Sequence, residues 1–561
     1  MMMVPVMAQG TQRMEGKNAQ QDNINAAKAI AGAVRTTLGP KGMDKLLTDD
    51  LGDSIVTNDG ASILKNVKVD HPAARMIVEV AKTQDAECGD GTTTAVVLAG
   101  ELLEMAQLLT KKRMHPTTIT AGYRMASREA VRVLEEKMGI LVPAEEMEQR
   151  MRDVALTAMT GKSAEDVKDV LADLAVRAVM TIAQEKVVDS VGQMKVDRED
   201  VQIIRKTGGS MSDTKLIEGF VIEKPRAHQD MPERVDGEGE GDDDEPAGVN
   251  ILLLDLPLEP RRPDASTDVR LNSQRELQTL MDSDMEYIKK LIQQIAELGV
   301  GAVFTPKAMS DIAAHLLQKN GIYGVQKLAR SDMESLAKAT GAKVITDVEA
   351  LDEADLGWAE CVESRRVGED DMTFVTGCEK SRAVSAIIRG GSSHVVDELA
   401  RAFTDAVGVA SGVMEDRKVA PGGGASAIQI SMDLREYATT ITDRKRMAVE
   451  AFAEALEVIP AALAENAGLD PLDVVLDMRK AHGEGNINHG VNVETGDIVD
   501  MVEMRVLEPV RVGRQAIESA TDVANMVLRI DDVILAQLAP DPSGPQDRNP
   551  KQKGGIGGMG M

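Results

Sequence analysis

Six consecutive residues, Gly89-Asp90-Gly91-Thr92-Thr93-Thr94, combine pliable backbone, one carboxylate and three hydroxyls. Glycines let the chain turn tightly. The threonines open an apolar helix, whose free N–H groups and dipole make a cradle for phosphate. Asp90 is placed to hold a Mg²⁺ that bridges phosphate oxygens. Leu38-Gly39-Pro40-Lys41-Gly42, Asn58-Asp59-Gly60 and Ala420-Pro421-Gly422-Gly423-Gly424-Ala425 are three more glycine turns, and Asp405 sits in the helical stretch Phe403–Val407. Taken singly, each is equally well a helix stop, a plain turn or a polar-face acid. Together, four such turns and three acids suited to Mg²⁺ and water point to nucleotide binding. No GxxxxGK[ST] run occurs, so the chemistry is not that of a P-loop.

The elements that must hold these residues can be read from periodicity. Ile24, Ala27, Ala31, Val34 and Leu38 share one helical face that Gly39-Pro40 ends. A strand pair is expected through Leu46–Val56, a helix after His71-Pro72, and another from Thr92 through Leu103. Farther on, Ile251–Leu254, Gly301–Phe304, Gly321–Val325 and Val344-Ile345 alternate with helices at Ser273–Leu298, Ile312–Leu317 and Met333–Ala339. That β-α rhythm predicts an α/β domain inserted between helical segments. Helical patterns return over Val395–Val413 and Met447–Leu463. Asp236–Glu245 holds seven acids among glycines and reads as a solvated loop. Pro257–Asp268 reads as an exposed excursion, and the glycine- and methionine-rich Gly554–Met561 as a disordered tail.

At about 150 residues per domain, 561 residues leave room for three or four domains. Apolar residues make up 43% but aromatics only 2%, so the cores are built from Ala, Val, Ile, Leu and Met. Few rings and a formal charge of -28 disfavour stacking on bases and binding to phosphate backbones or anionic lipid. Neither nucleic acid nor membrane is an expected partner. Three scattered cysteines suit neither a disulfide framework nor a CxxC zinc site, and no apolar run approaches 18 residues. A reduced, soluble, cytoplasmic protein is expected. The charge also suits a salt-rich, halophilic cytoplasm, where repulsion is screened. The unfolding midpoint should then rise markedly with KCl; a flat response would remove that explanation.

The blocks Arg35–Lys45, Thr57–Ala61 and Gly89–Ala95 resemble the signature segments of group II chaperonins. So do Met159-Thr160-Gly161-Lys162, Ser331–Glu334, Pro421–Gly424 and Arg529–Asp532, and their order is that of archaeal thermosome subunits. The likeness runs from about Asn23 to Ala536. It implies a multidomain α+β fold: a helical equatorial ATPase domain (1–156 and 419–561), a small intermediate hinge domain (157–217 and 379–418), and an inserted α/β apical domain (218–378). A helical lid protrusion is expected near Pro257–Leu291. By the same resemblance, Leu38, Gly39 and Pro40 contact ATP, Asp90 ligates Mg²⁺, and Gly91, Thr92, Thr93 and Thr94 hold phosphates. Gly423, Asn492 and Glu508 surround ribose and base, and Asp405 positions or activates water with Asp59 as companion. The implied activity is ATP-driven folding of non-native polypeptides inside a double ring of like or paralogous subunits, without a separate co-chaperonin. The alternative is a ring scaffold with a vestigial ATPase. Ser393 stands where the family usually has an acid, and Ser426-Ala427 stand in place of its usual Pro-Glu.

Overall fold

The computed structural model describes residues 12–535, except 49–51, 53, 163, 189–190, 237–247, 260–273, 347–350 and 379–382. The acidic run after Asp236, residues 260–273 of the expected lid segment and the glycine-rich tail therefore lie outside the described residues. Helices are numbered in chain order, and strands are given by range.

The first part is helical: α1 (Gly16–Arg35), α2 (Gly60–Asn66), α3 (Pro72–Cys88), α4 (Thr92–Lys111) and α5 (Pro116–Val133). The expected strand pair is present as Lys45–Thr48 against Ser54–Thr57. α1 stops three residues short of Leu38. The Val34 carbonyl accepts from both the Thr37 amide (3.0 Å) and the Thr37 hydroxyl (2.8 Å), which tightens the last turn, and Gly39 then turns left-handed at φ +80°. α2 is absent from the periodicity reading because seven residues are too few to show a period. It forms because Asp59 caps it, accepting from Ala61 N at 3.1 Å and Ser62 N at 2.9 Å.

α6 (Met147–Met159) and α7 (Lys168–Ile182) lead into the sheets. The predicted alternation is a five-stranded sheet in which Tyr323–Val325, Val300–Phe304, Val249–Leu254 and Val344–Ile345 run parallel and Gly357–Ala359 pairs antiparallel. Its helices are α8 (Gln274–Glu297), α9 (Asp311–Lys319) and α10 (Arg330–Thr340). A second, six-stranded sheet orders Val201–Thr207, Val384–Gly390, Lys215–Ile222, Asp370–Thr376, Cys361–Val367 and Arg234–Asp236. The chain returns through α11 (Ser393–Asp416) and α12 (Ala425–Thr439). The expected helix Met447–Leu463 is in fact two, α13 (Lys445–Leu456) and α14 (Val458–Asn466), because Pro460 has no N–H to offer the carbonyl four residues back. α15 (Pro471–Gly483) and α16 (Val510–Leu528) follow.

Core composition explains how tightly the helices approach. α4 buries Ala95, Ala99 and Ala106 completely, and a methyl built on Gly100 would come within 2.4 Å of Ala31 Cβ on α1. α4 is long and apolar enough by average composition to cross a membrane, yet most of it is buried among α1, α3, α13 and α16. One apolar core combines residues from Ile24–Met138 with residues from Ala420–Leu528, so the two ends of the chain fold as one body. A second core joins α6, α7 and α11, and two smaller ones lie under the five-stranded sheet and its helices.

Candidate active site

Backbone conformation builds the first wall. Gly89 ends α3 at φ +74° and Gly91 starts α4 at φ +76°, both in the region that disfavours any side chain. No side chain caps α4, so its first N–H groups, Thr92 to Thr94, form the bare positive end of a buried dipole. The Asp59–Gly60 turn packs against it: a methyl on Gly60 would lie 2.5 Å from Thr93 Oγ1. Gly91→Ala would place a methyl 2.6 Å from Val512 Cγ1 in a left-handed residue. We expect it to lower thermal stability by about 1–3 kcal/mol, as read by calorimetric unfolding.

The loop after α1 forms the second wall. Asn466 Nδ2 donates to the Leu38 carbonyl at 2.8 Å and to the Arg35 carbonyl at 3.1 Å, fixing Leu38-Gly39-Pro40 from α14. Gly161 (φ +81°) lies so close that a methyl there would be 2.5 Å from Pro40 Cα, and its carbonyl accepts from Asn58 Nδ2 at 2.8 Å. The Thr160–Lys162 turn is thereby held between Pro40 and Asn58. The third wall is the glycine run. Gly423 and Gly424 both have positive φ, and methyls there would strike Met501 Sδ at 2.6 Å and Pro460 Cβ at 2.7 Å. The chain itself makes the close approaches that these glycines permit. Ser426 donates to the Pro421 carbonyl at 2.9 Å, bracing the same turn.

Of these, the second and third walls, with Thr94 and Leu98 of α4, line a cavity of 980 Å³. Of the residues singled out from the sequence, Leu38, Gly39, Pro40, Thr94, Gly423, Asn492 and Glu508 line it. Asp59, Asp90, Gly91, Thr92, Thr93 and Asp405 are not on its wall. The acids gather instead around Lys162, which is on that wall and forms an ion pair with Asp405. Burial alone would discharge the Lys162 ammonium, but Asp405, Asp90 and Asp59 together raise its pKa. Burial pushes the Asp405 carboxyl up to about 8; Lys162 opposes the shift, while Asp59 and Asp90 add to it. Glu508, on the strand Leu507–Pro509, is pushed up to about 7 by burial, with Asp90 adding to it. Sequence reasoning left Lys162 without a role at this site. A lysine after a glycine turn has no spacing that announces a buried acid 243 residues away.

A family model of the TCP-1/cpn60 chaperonins matches residues 30–537. The chain belongs to that family. Its relatives include a thermosome subunit of Methanopyrus kandleri, 46% identical over 95% of each chain. The thermosome subunit beta of Archaeoglobus fulgidus is 47% identical over all of this chain and 97% of its own. The thermosome subunit beta of Thermoplasma acidophilum is 46% identical over 95% of each chain. These matches establish the group II chaperonin resemblance, and with it a protein-folding function. Within this chaperonin, α11 packs in the second apolar core and also touches α3 and α16.

Proposed function

We propose that this chaperonin binds ATP with Mg²⁺ in the 980 Å³ cavity and hydrolyses it to drive enclosure of non-native polypeptides. Leu38, Gly39 and Pro40 would contact the nucleotide, with Gly423, Asn492 and Glu508 around ribose and base. Gly91 and Thr92 to Thr94 would hold phosphate oxygens through backbone and hydroxyl donors. Among the described residues no group of three or more acidic, His or Cys side chains forms a metal cage. Mg²⁺ rarely needs one, since one carboxylate plus phosphate oxygens and water satisfies it, and Asp90 at the phosphate turn fits that donor set. The ion would neutralise phosphate charge. Asp405, with Asp59, would accept a proton from the attacking water and hold it in line.

The observation that carries this reading is the Lys162–Asp405 pair, which brings the α11 acid beside Asp59, Asp90 and the cavity. The proposed domain limits are equatorial 1–156 and 419–561, intermediate 157–217 and 379–418, and apical 218–378. Closing the intermediate body onto the equatorial one would complete the catalytic set, so hydrolysis and lid movement would be one event. Subunits of one or several kinds would stack as a double ring in the cytoplasm, with no separate lid protein. Negative-stain images and phosphate release from the same preparation test this. Stacked rings that release phosphate only with Mg²⁺ are expected. Rings without turnover would support the scaffold alternative, which the complete set Asp59, Asp90 and Asp405 speaks against.

A further inference from the structure

Two side chains outside the cavity tie the Asp90 turn and the Asp405 helix to the same post, the first turn of α16. Arg511 grips the C-terminal end of α11. Its Nε and Nη2 reach the two Asp416 oxygens at 2.8 and 2.7 Å, and Nη1 reaches Glu415 Oε2 at 2.6 Å. Next in sequence, the Val512 carbonyl accepts from Gln84 Nε2 at 3.2 Å, and the same amide nitrogen donates to the Asp90 carbonyl at 3.0 Å. Gln84 is wholly buried, so both its N–H bonds are spent on these two carbonyls. Between the two grips α11 touches the turn directly: a methyl on Gly408 would lie 3.1 Å from Gly89 Cα and 3.0 Å from the Cys88 carbonyl. Asp405 is one helical turn from that contact, and about 16 Å of rigid helix separates it from the Arg511 grip.

We propose that Arg511 and Gln84 are positioning residues that act as one unit, setting the α11 acid in register with the Asp90 turn through the start of α16. The proposal rests on the ATPase reading above. A forked guanidinium holding two carboxylates resists both sliding and rotation of a helix end, which a lysine cannot do. A buried carboxamide bridging two carbonyls fixes their separation. Shifting the turn would therefore cost the α16 bond or move α16, and with it Arg511.

The test uses Arg511→Lys, Gln84→Met and the double variant in assembled rings. Each single variant should lower kcat about tenfold with ATP Kd within twofold, because the loss is in alignment and not in binding. The double variant should be no slower than the worse single one; multiplying losses, or unchanged kcat, would overturn the unit. Hydrogen exchange supplies a readout free of turnover. Arg511→Lys should speed exchange across 84–94, and Gln84→Met should speed it across 405–416, since coupling is reciprocal. Effects confined to each variant's own segment overturn the proposal. Reciprocal exchange in a wild-type ring that hydrolyses no ATP would keep the linkage and overturn the ATPase reading instead.

Discussion

Asp405→Ala should assemble into rings and bind ATP nearly as tightly as the parent, yet lose turnover about a hundredfold or more. The residue lies off the cavity wall, so removing it takes no contact from a bound nucleotide. What it would remove is the group that accepts the proton from water, a contribution of about 10²–10⁴ in rate. The variant also leaves Lys162 facing Asp59 and Asp90 alone, which still favour its charge. Equilibrium ATP binding and single-turnover phosphate release, measured on the same rings, separate the two effects. Retained turnover would take Asp405 out of the mechanism.

Lys162→Met should act through the pH profile. Burial holds the Asp405 carboxyl at about 8, and Lys162 is the cation that keeps it from rising further. A base works only as carboxylate, so the parent rate should climb with pH through the region near 8. Removing the ammonium disfavours the carboxylate, so the acid limb should move up by at least about one unit and turnover at pH 7 should fall about tenfold or more. The linkage sign is the same. A carboxyl whose folded pKa exceeds its unfolded value binds its proton more tightly when folded, so it loses stability as pH rises toward 8. Unfolding midpoints should accordingly go on falling to higher pH in Lys162→Met, past the region near 8 where the parent levels off. An unmoved acid limb would mean that Asp405 is not the titrating base.

Local patterns disclosed much of this protein. Left-handed glycines and a threonine-led apolar helix can be read without a structure, since each depends on residues within a turn or two. Gly89, Gly91 and Gly161 are needed because of their own φ, and Asp59 caps the seven-residue helix that follows it. The alternation from Val249 to Ile345 was legible for the same reason: a buried parallel strand is an apolar run whatever lies beside it. The six-stranded sheet was not, because its strands come from 201–236 and 361–390 and their pairing depends on a neighbour. α13 and α14 were merged because an apolar period continues across Glu457 even though Pro460 breaks the hydrogen bonding.

The sequence by itself determined which residues have the chemistry for phosphate, Mg²⁺ and water, and which family they belong to. Only the tertiary structure decided that Asp405 pairs with Lys162, that Asn466 pins Leu38, and that Gln84 and Arg511 lash α3 and α11 to α16. Those contacts span from 95 to 428 positions along the chain. A charge or a carboxamide carries no mark of its distant partner. Its pKa and its bonds are set by whatever packing brings within a few ångströms once water has been excluded.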